Sequence, residues 1–474
     1  MLYFPAPHTV TGEDLLELHV HGGPAVIKAV LAAISRCSKL PSKPTIRYAE
    51  PGEFTRRAFE NGRLDLTQIE ALGDTLSAAT EQQRRLSVRG TSGRLAKQYE
   101  SWRQQLLEAR GELEALIDFS EDQHFDESPA TLCASVALQV QKLCENITAH
   151  SANAIRGELL RNGISVSLLG APNAGKSSLL NLIVGREAAI VSSEAGTTRD
   201  VVEVGVDLSG YLCRFGDTAG LRNQANQNNG GQDASTLGEI EREGIRRAKS
   251  RAMESDVVIM IVAVDPDTKL DDNFKLNIEQ EVLVTAKQCF NNGSGVIVVV
   301  NKCDRVYSDA QSSPLIKSAL KEKMAWMASD RIFTISCKDA SGMSTTQEPD
   351  AGGIQNFLKG LTSVFSEMTT ALTPENAISD GQSDPDISIW QDSLGASERQ
   401  RLLLDECRGH LDAFLAEVAS PSMAEDLEVD EAGGELDIVL AAESLRAASD
   451  CLARITGRGE AGDVEEVLGV VFEK

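Results

Sequence analysis

Positive charge is what this 474-residue chain has too little of: 46 Lys and Arg face 71 Asp and Glu, a net charge of −25. Long-range steering therefore repels nucleic acid, so any RNA contact must be local or come through a basic partner. No apolar stretch reaches the length that a bilayer-spanning helix needs. The nine cysteines, at positions 37, 133, 144, 213, 289, 303, 337, 407 and 451, include no C-x-x-C pair. That scatter fits buried thiols in a reducing compartment better than a disulfide framework or a zinc site. There is no internal repeat, and no secretory or basic targeting peptide opens the chain. Met1-Leu-Tyr-Phe4 reads instead as the middle of a strand, which points to a truncated N-terminus.

What is present has the length for two to four domains. Residues 1–65 mix short apolar strands with Gly and Pro turns and read as an α+β piece. Residues 66–160 turn helical. Leu95, Tyr99, Trp102, Leu106, Ala109, Leu113 and Leu116 alternate spacings of four and three, the stripe of a long packed helix. Glu121–Glu127 breaks it, and a second helix is expected from Pro129 to Leu160. Residues 161–365 alternate strands and helices, the pattern of a mostly parallel sheet covered on both faces. Helices return over 366–474, clearest at Arg399–Val418 and Gly434–Ile455. Short, unthreaded connections then favour an α/β domain inserted into a helical one. Three polar segments, Asn223–Ser235, Asp339–Gly353 and Asn376–Gly395, read as two flexible insertions and a linker.

The chemistry is concentrated in the α/β block. Gly170-Ala-Pro-Asn-Ala-Gly-Lys-Ser177 fits G-x-x-x-x-G-K-[ST], preceded by the apolar run Ile164–Leu169 and followed by the helical Ser178–Val184. Its glycines let backbone N–H groups close around phosphates, with the positive end of a helix behind them. Lys176 would reach the β- and γ-phosphates, and the Ser177 hydroxyl would ligate Mg²⁺. Asp217-Thr-Ala-Gly220 follows the strand-like Tyr211–Phe215 and matches D-x-x-G, with Asp217 holding Mg²⁺ through water and the Gly220 N–H sensing the γ-phosphate. Asn301-Lys-Cys-Asp304 ends the strand Val296–Val300, and the Asp304 carboxylate can accept two hydrogen bonds from the guanine edge. Adenine would leave that carboxylate badly paired, so the element selects GTP. Ser336-Cys-Lys338 closes the base side after Arg331–Ile335, and Gly196-Thr-Thr-Arg-Asp200 supplies a switch threonine. Each short match is weak alone. All five, in order and in context, describe a GTPase domain.

These residues resemble the MnmE/TrmE tRNA-modification GTPases, as do Asp217–Arg222 and Glu239-Ile-Glu-Arg-Glu-Gly-Ile-Arg246. The resemblance extends to Phe4–Asp14, Leu18-His-Val-His-Gly-Gly-Pro24, Ala49–Phe59, Asn61–Leu66 and Leu452–Gly457, covering nearly the whole chain apart from the insertions. It implies a Ras-like P-loop GTPase domain inserted into a helical domain, preceded by a partial folate-binding-like α+β domain. It also implies K⁺-stimulated hydrolysis by a G-domain homodimer, with K⁺ held by Asn173, Ser192, Glu194 and Thr197. Ser177 and Thr198 match the Mg²⁺ ligands. Glu241 matches the residue that orients the attacking water through a second water, although read alone it is a solvated helix-face carboxylate. With Lys176 and Thr198 it makes the catalytic set. The nucleotide is expected on Asn173, Ala174, Gly175, Lys176, Ser177, Ser178, Ser192, Thr197, Thr198, Asp217, Thr218, Ala219, Gly220, Asn301, Lys302, Asp304, Ser336, Cys337 and Lys338.

By the same resemblance, Glu17, Arg63 and Lys474 are the candidates for a 5-formyl-tetrahydrofolate-type carrier. Arg63 stands where the family commonly has lysine, keeping the charge but not the point-ammonium geometry. Glu17, His19 and His21 alternate on one face of an expected strand, where a polar face explains them better than a metal. The family's N-terminal Gly-rich segment is missing before Met1, and the chain stops short of its F-C-I-G-K tail. The implied partners are an FAD-dependent MnmG/GidA-type protein and, through it, tRNA, whose wobble uridine is modified at C5. The implied compartment is the mitochondrial matrix, with a bacterial cytoplasm as the alternative. A ribosome-associated assembly switch, and a degenerate family copy that only hydrolyses GTP, stay open as rival readings.

Overall fold

The computed structural model describes residues 1–37, 46–119, 129–186, 189–192, 204–216, 246, 248–266, 274–306, 312–343, 350, 352–373, 387–418 and 438–457. In chain order the strands are β1 (Leu2–Phe4), β2 (Leu15–Glu17), β3 (Ile164–Gly170), β4 (Ala189–Ser192), β5 (Val204–Leu208), β6 (Tyr211–Phe215), β7 (Val257–Pro266), β8 (Phe274–Asn277), β9 (Gly295–Asn301) and β10 (Ile332–Thr334). The helices are α1 (Pro24–Arg36), α2 (Glu53–Glu60), α3 (Leu66–Ser77), α4 (Glu81–Gly90), α5 (Arg94–Phe119), α6 (Pro129–Asn162), α7 (Lys176–Arg186), α8 (Gln280–Asn291), α9 (Ser312–Lys323), α10 (Ile354–Thr369), α11 (Ile387–Ser393), α12 (Glu398–Val418) and α13 (Ile438–Thr456). Two compact units result. One comprises Met1–Ser77, Leu86–Gly157 and Ala371–Lys474, the other Ala78–Arg85 and Glu158–Thr370.

The first unit is built on four helices. The stripe from Leu95 to Leu116 on α5 is buried against Val136, Val140, Leu143 and Ile147 of α6. Leu404, Leu411 and Phe414 of α12 and Leu445, Leu452 and Ile455 of α13 complete the same core. Each fully buried Leu, Ile or Phe contributes about 1.5–3 kcal/mol relative to exposure, so the heptad-like spacing on each helix sets the arrangement. At one end, Glu70 of α3 ties the helix ends together. It accepts hydrogen bonds from Ser397 Oγ at 3.0 Å, Arg399 Nε at 2.7 Å and the Gln400 side chain. Arg399 also donates to the carbonyls of Arg454 (3.2 Å) and Ile455 (3.0 Å), capping the last turn of α13.

One segment departs from the sequence reading. The expected linker Asn376–Gly395 contains α11, whose Trp390 is 8 % exposed and whose Ser393 is fully buried. Ile387, Trp390 and Leu394 stand at helical spacing, a short apolar stripe hidden behind a polar run. Trp390 meets His150 of α6 edge-on, with ring centroids 5.3 Å apart. Trp102 and Tyr99 of α5 surround the same imidazole at 4.7 and 6.0 Å.

The second unit is an eight-stranded sheet in the order β10-β9-β7-β3-β6-β5-β4, with β8 pairing the end of β7. The pairs from β10 through β6 are parallel, whereas β6–β5, β5–β4 and β7–β8 are antiparallel. Strict alternation divides the apolar residues of the central strands between two faces. Ile259, Ile261, Ile297 and Val299 face a core shared with α7 and α10. Val258, Met260, Val262, Val298 and Val300 face one shared with α8 and α9. Strands buried on both faces read as continuous apolar runs, which is why this block was recognisable from sequence. Its parallel strands point their carboxyl ends to one edge, the usual place for a ligand in such sheets.

Candidate nucleotide site

β3 delivers Gly170 to that edge, and the chain turns through Ala171–Gly175 before α7 begins at Lys176. The turn needs left-handed backbone at Asn173 (φ 62°) and Gly175 (φ 104°). Asparagine tolerates that region because its short amide can bond locally. At Gly175 a side chain is also excluded sterically, since a Cβ would lie 2.0 Å from Asn301 Nδ2. Ala174 is buried and offers its carbonyl to Asn301 Nδ2 at 2.9 Å. The Asn301 Oδ1 in turn accepts the Cys337 backbone N–H at 3.3 Å. The loops after β3, β9 and β10 are thus joined by one side-chain amide.

Lys176 Nζ donates to the carbonyls of Gly170 (2.7 Å) and Ala171 (2.9 Å). Burial lowers its pKa, and the charge of Glu279 offsets part of that effect. A partly desolvated ammonium whose hydrogen bonds, among the described residues, go to two carbonyl oxygens favours an incoming anion. Phosphate would find it beside the N-terminus of α7, where backbone N–H groups and the helix dipole add positive potential.

On the base side, Lys302 also adopts left-handed backbone (φ 68°), which sends the chain into a short 3₁₀ turn, Cys303–Arg305. Ser336 Oγ donates to Asp304 Oδ1 at 3.0 Å and accepts the Asp339 N–H at 3.2 Å. Asp304 is thereby oriented while keeping acceptor capacity for a purine edge. Asp339–Gly353, expected as a free insertion, is anchored at both ends. A helical turn occupies Asp339–Met343, and Gly352 accepts the Ser336 N–H at 2.9 Å. Gly352 and Gly353 have positive φ, and a Cβ on either would lie 2.6 Å from a carbonyl oxygen. Their glycine content reflects close packing rather than a tether. Residues 344–349 and 351 within it lie outside the described residues.

A cavity of about 450 Å³ joins the two sides. Asn173, Gly175, Lys176, Ser177 and Ser178 line it from the phosphate loop, and Asn301, Lys302, Asp304, Cys337 and Lys338 from the base loops. Its size lies in the range of small-ligand sites. Ser336 stands behind Asp304 and is 3 % exposed. Burial pushes the Cys337 thiol up to about 11, so it is a neutral wall group. Sequence reasoning missed two lining residues, Arg305 and Ser341. Arg305 Nη1 is paired with Asp265 Oδ1 at 2.7 Å. Its place directly after Asp304 was the available signal. Ser177, in the first turn of α7 beside Lys176, is suitably placed to offer a hydroxyl to a phosphate-bound Mg²⁺. Ser192 ends β4. Glu194, Thr197, Thr198, Asp217, Thr218, Ala219, Gly220, Glu241 and Lys474 lie outside the described residues.

The N-terminal candidates Glu17 and Arg63 each make a local contact. Glu17 ends β2 and bonds His19 Nε2 at 3.1 Å, while Arg63 Nε donates to the Thr9 carbonyl at 2.9 Å. Asn61 Nδ2 donates to the Thr11 carbonyl at 2.9 Å, so the Asn61–Arg63 turn staples the Thr9–Gly12 loop. Among the described residues no hydrogen bond or ion pair joins Glu17 to Arg63. The strand stops at Glu17, so His19 and His21 lie beyond it rather than within it.

Two family models match the chain: the MnmE helical domain over residues 66–474 and the GTP-binding protein TrmE N-terminus over residues 1–63. The mitochondrial tRNA modification GTPase mss1 of Schizosaccharomyces pombe is 37% identical over 475 residues, covering 100% of this chain and 82% of that protein. The tRNA modification GTPase MnmE of Paramagnetospirillum magneticum is 36% identical, covering 100% and 85%. The human mitochondrial 5-taurinomethyluridine-tRNA synthase subunit GTPB3 is 34% identical, covering 100% and 80%. With a phosphate loop and a guanine-type carboxylate in one cavity, and with similarity along its whole length, this chain belongs to the MnmE/TrmE family of GTP-binding proteins.

Proposed function

We propose that this chain is a GTP-hydrolysing enzyme of tRNA modification. The observation that carries the reading is the shared cavity, in which Lys176 and the α7 N-terminus face one end and Asp304 faces the other. That spacing suits a guanine nucleotide, with phosphates on the loop and the N1–H and N2 amino edge on the carboxylate.

The GTPase domain spans 161–365, set within a helical domain of 66–160 and 366–474 and preceded by a partial folate-binding-like domain of 1–65. Lys176 neutralises the β- and γ-phosphates, Glu241 orients the attacking water, and Thr198 and the Asp217–Gly220 element follow the state of the γ-phosphate. Ser177 and Thr198 hold Mg²⁺, which when bound neutralises charge on the phosphate oxygens. Asn173, Ser192, Glu194 and Thr197 hold K⁺, a fixed cation in the role that an arginine finger plays elsewhere. Two G domains pair across the nucleotide in a homodimer. Glu17, Arg63 and Lys474 serve a formyl-folate-type one-carbon carrier. An FAD-dependent MnmG/GidA-type partner contributes most tRNA contact, consistent with the net charge of −25. The product is a C5-substituted wobble uridine, and the names of the yeast and human relatives support the mitochondrial matrix.

Purified protein is expected to hydrolyse GTP in preference to ATP, and faster in KCl than in NaCl. Equal turnover of GTP and ATP would overturn the nucleotide assignment, and equal rates in the two salts would remove K⁺. Recovery of a flavoprotein with the tagged chain, and its failure to appear, decide the partner.

A further inference from the structure

In the helical unit, α12 and α13 bring a core cysteine together with two polar groups that nucleotide chemistry does not use. Glu406 and His410 are four residues apart on α12, so their side chains stand over one another on one face. Cys451 of α13 lies opposite. The carboxylate oxygen, imidazole nitrogen and Sγ all lie within 4.8 Å of one another. The trio runs from core to solvent: Cys451 is 3 % exposed, His410 is half-buried and Glu406 is exposed. His410 makes no hydrogen bond or ion pair with the described residues. Glu406 has a cationic neighbour, with Arg454 Nη1 3.4 Å from its Oε2.

We propose that Glu406, His410 and Cys451 form a site for a borderline-soft divalent transition-metal ion, with Zn²⁺ the best match. A thiolate, an imidazole and a carboxylate make a donor set that Zn²⁺ accepts and that hard Mg²⁺ disfavours. Tetrahedral Zn²⁺ holds such donors at about 2.0–2.3 Å, hence roughly 3.3–3.8 Å from one another. All three separations are within 4.8 Å, so closing needs a contraction of at most about 1–1.5 Å. Side-chain rotation supplies it at the two positions nearer solvent. The fourth position falls to water on the side where Glu406 is exposed. On binding, the Cys451 thiol releases its proton to solvent and Arg454 yields the Glu406 carboxylate to the ion. The ion then clips α12 to the last two turns of α13.

The test uses the full chain in excess Mg²⁺, freed of transition metal, with Zn²⁺ titrated in competition with a chromophoric chelator. One equivalent is expected to bind and to raise the thermal midpoint of the protein. Glu406→Gln and His410→Gln are each expected to weaken binding about tenfold or more, the least that disturbing a metal's coordination usually costs. Arg454→Gln is expected to tighten it, because the competing cation is gone. Co²⁺ in place of Zn²⁺ is expected to give thiolate charge-transfer absorption that Cys451→Ser lacks. Because Cys451 belongs to the core, its variant can unfold the bundle, whereas the Glu406 and His410 variants carry the test alone. Zinc uptake that is absent, or unchanged in Glu406→Gln and His410→Gln, overturns the proposal.

Discussion

Asn173 carries two roles that its simplest substitution would confuse. Its backbone sits at φ 62° inside the phosphate loop, and its side chain lines the nucleotide cavity. Alanine at that φ costs about 1–2 kcal/mol, whereas asparagine pays less and glycine almost nothing. A loss of about 1 kcal/mol in loop geometry corresponds to roughly a fivefold loss of nucleotide affinity. Removing an electrostatic stabiliser of the transition state instead costs about 10²–10³ in turnover. The two effects therefore separate by size and by substitution. If the Asn173 amide holds K⁺, Asn173→Gly and Asn173→Ala both lose the ratio of GTP turnover in KCl to that in NaCl. Only Asn173→Ala also weakens GDP affinity several-fold. Steady-state turnover in the two salts, with GDP titrated by fluorescence, reads both quantities. Full K⁺ stimulation in Asn173→Gly would refute the amide's role and assign the position to backbone geometry alone.

Asp304→Asn replaces an acceptor with a donor at the base edge. GTP affinity is expected to fall about 10²–10⁴-fold, two charge-assisted hydrogen bonds being lost, while xanthosine triphosphate, which presents an oxygen there, gains; an unchanged preference for GTP would refute the assignment. Lys176→Met removes an ammonium whose pKa burial has lowered, so the nucleotide-free protein should melt higher while GDP no longer raises its melting temperature. A lower melting temperature in the variant would mean that the two carbonyl contacts outweigh desolvation. His150 is held neutral by burial, its pKa pushed down to about 3 from an ordinary 6.5. The unfolded chain therefore binds the extra proton, so stability is full above about pH 6.5 and declines as the pH falls toward 3. Between pH 7.5 and 5.0 the loss is about 2 kcal/mol in urea unfolding. That slope should vanish in His150→Gln, and its persistence would place the proton elsewhere.

How much could be read beforehand depended on whether a residue's role is local. The phosphate loop was legible because strand, glycine turn and helix are contiguous, so Gly170 to Ser177 carry their own context. The α5 stripe was legible because its seven positions repeat at helical spacing over six turns. The α11 stripe was not, since a seven-residue helix gives one short repeat beside a polar run. His150 is the extreme case. Nothing on α6 announces that Trp102, Tyr99 and Trp390, drawn from two other helices, will enclose it. Its burial is a property of the assembled bundle. Arg305 lay between these limits, next to a legible motif but paired with Asp265 at the end of another strand.

The part of the site that sequence least exposes is also what makes it a unit. Asn301 looks like a base-reading residue, yet both ends of its amide are spent on protein, the Ala174 carbonyl and the Cys337 N–H. At 2 % exposure those bonds are shielded from water, where losing one leaves a buried polar atom unpaired at a cost of about 1–3 kcal/mol. Gly175 permits the approach, because any Cβ there would displace the same amide. The phosphate loop therefore cannot shift without disturbing the loops that carry Asp304 and Cys337. The loop that carries Lys176 and the loops that carry Asp304 and Cys337 are thus tied together by one buried amide. Under the proposed assignment, a nucleotide has to meet Asp304 and Lys176 in that one arrangement, so a mismatch at the base edge is expected to weaken binding at the phosphates as well.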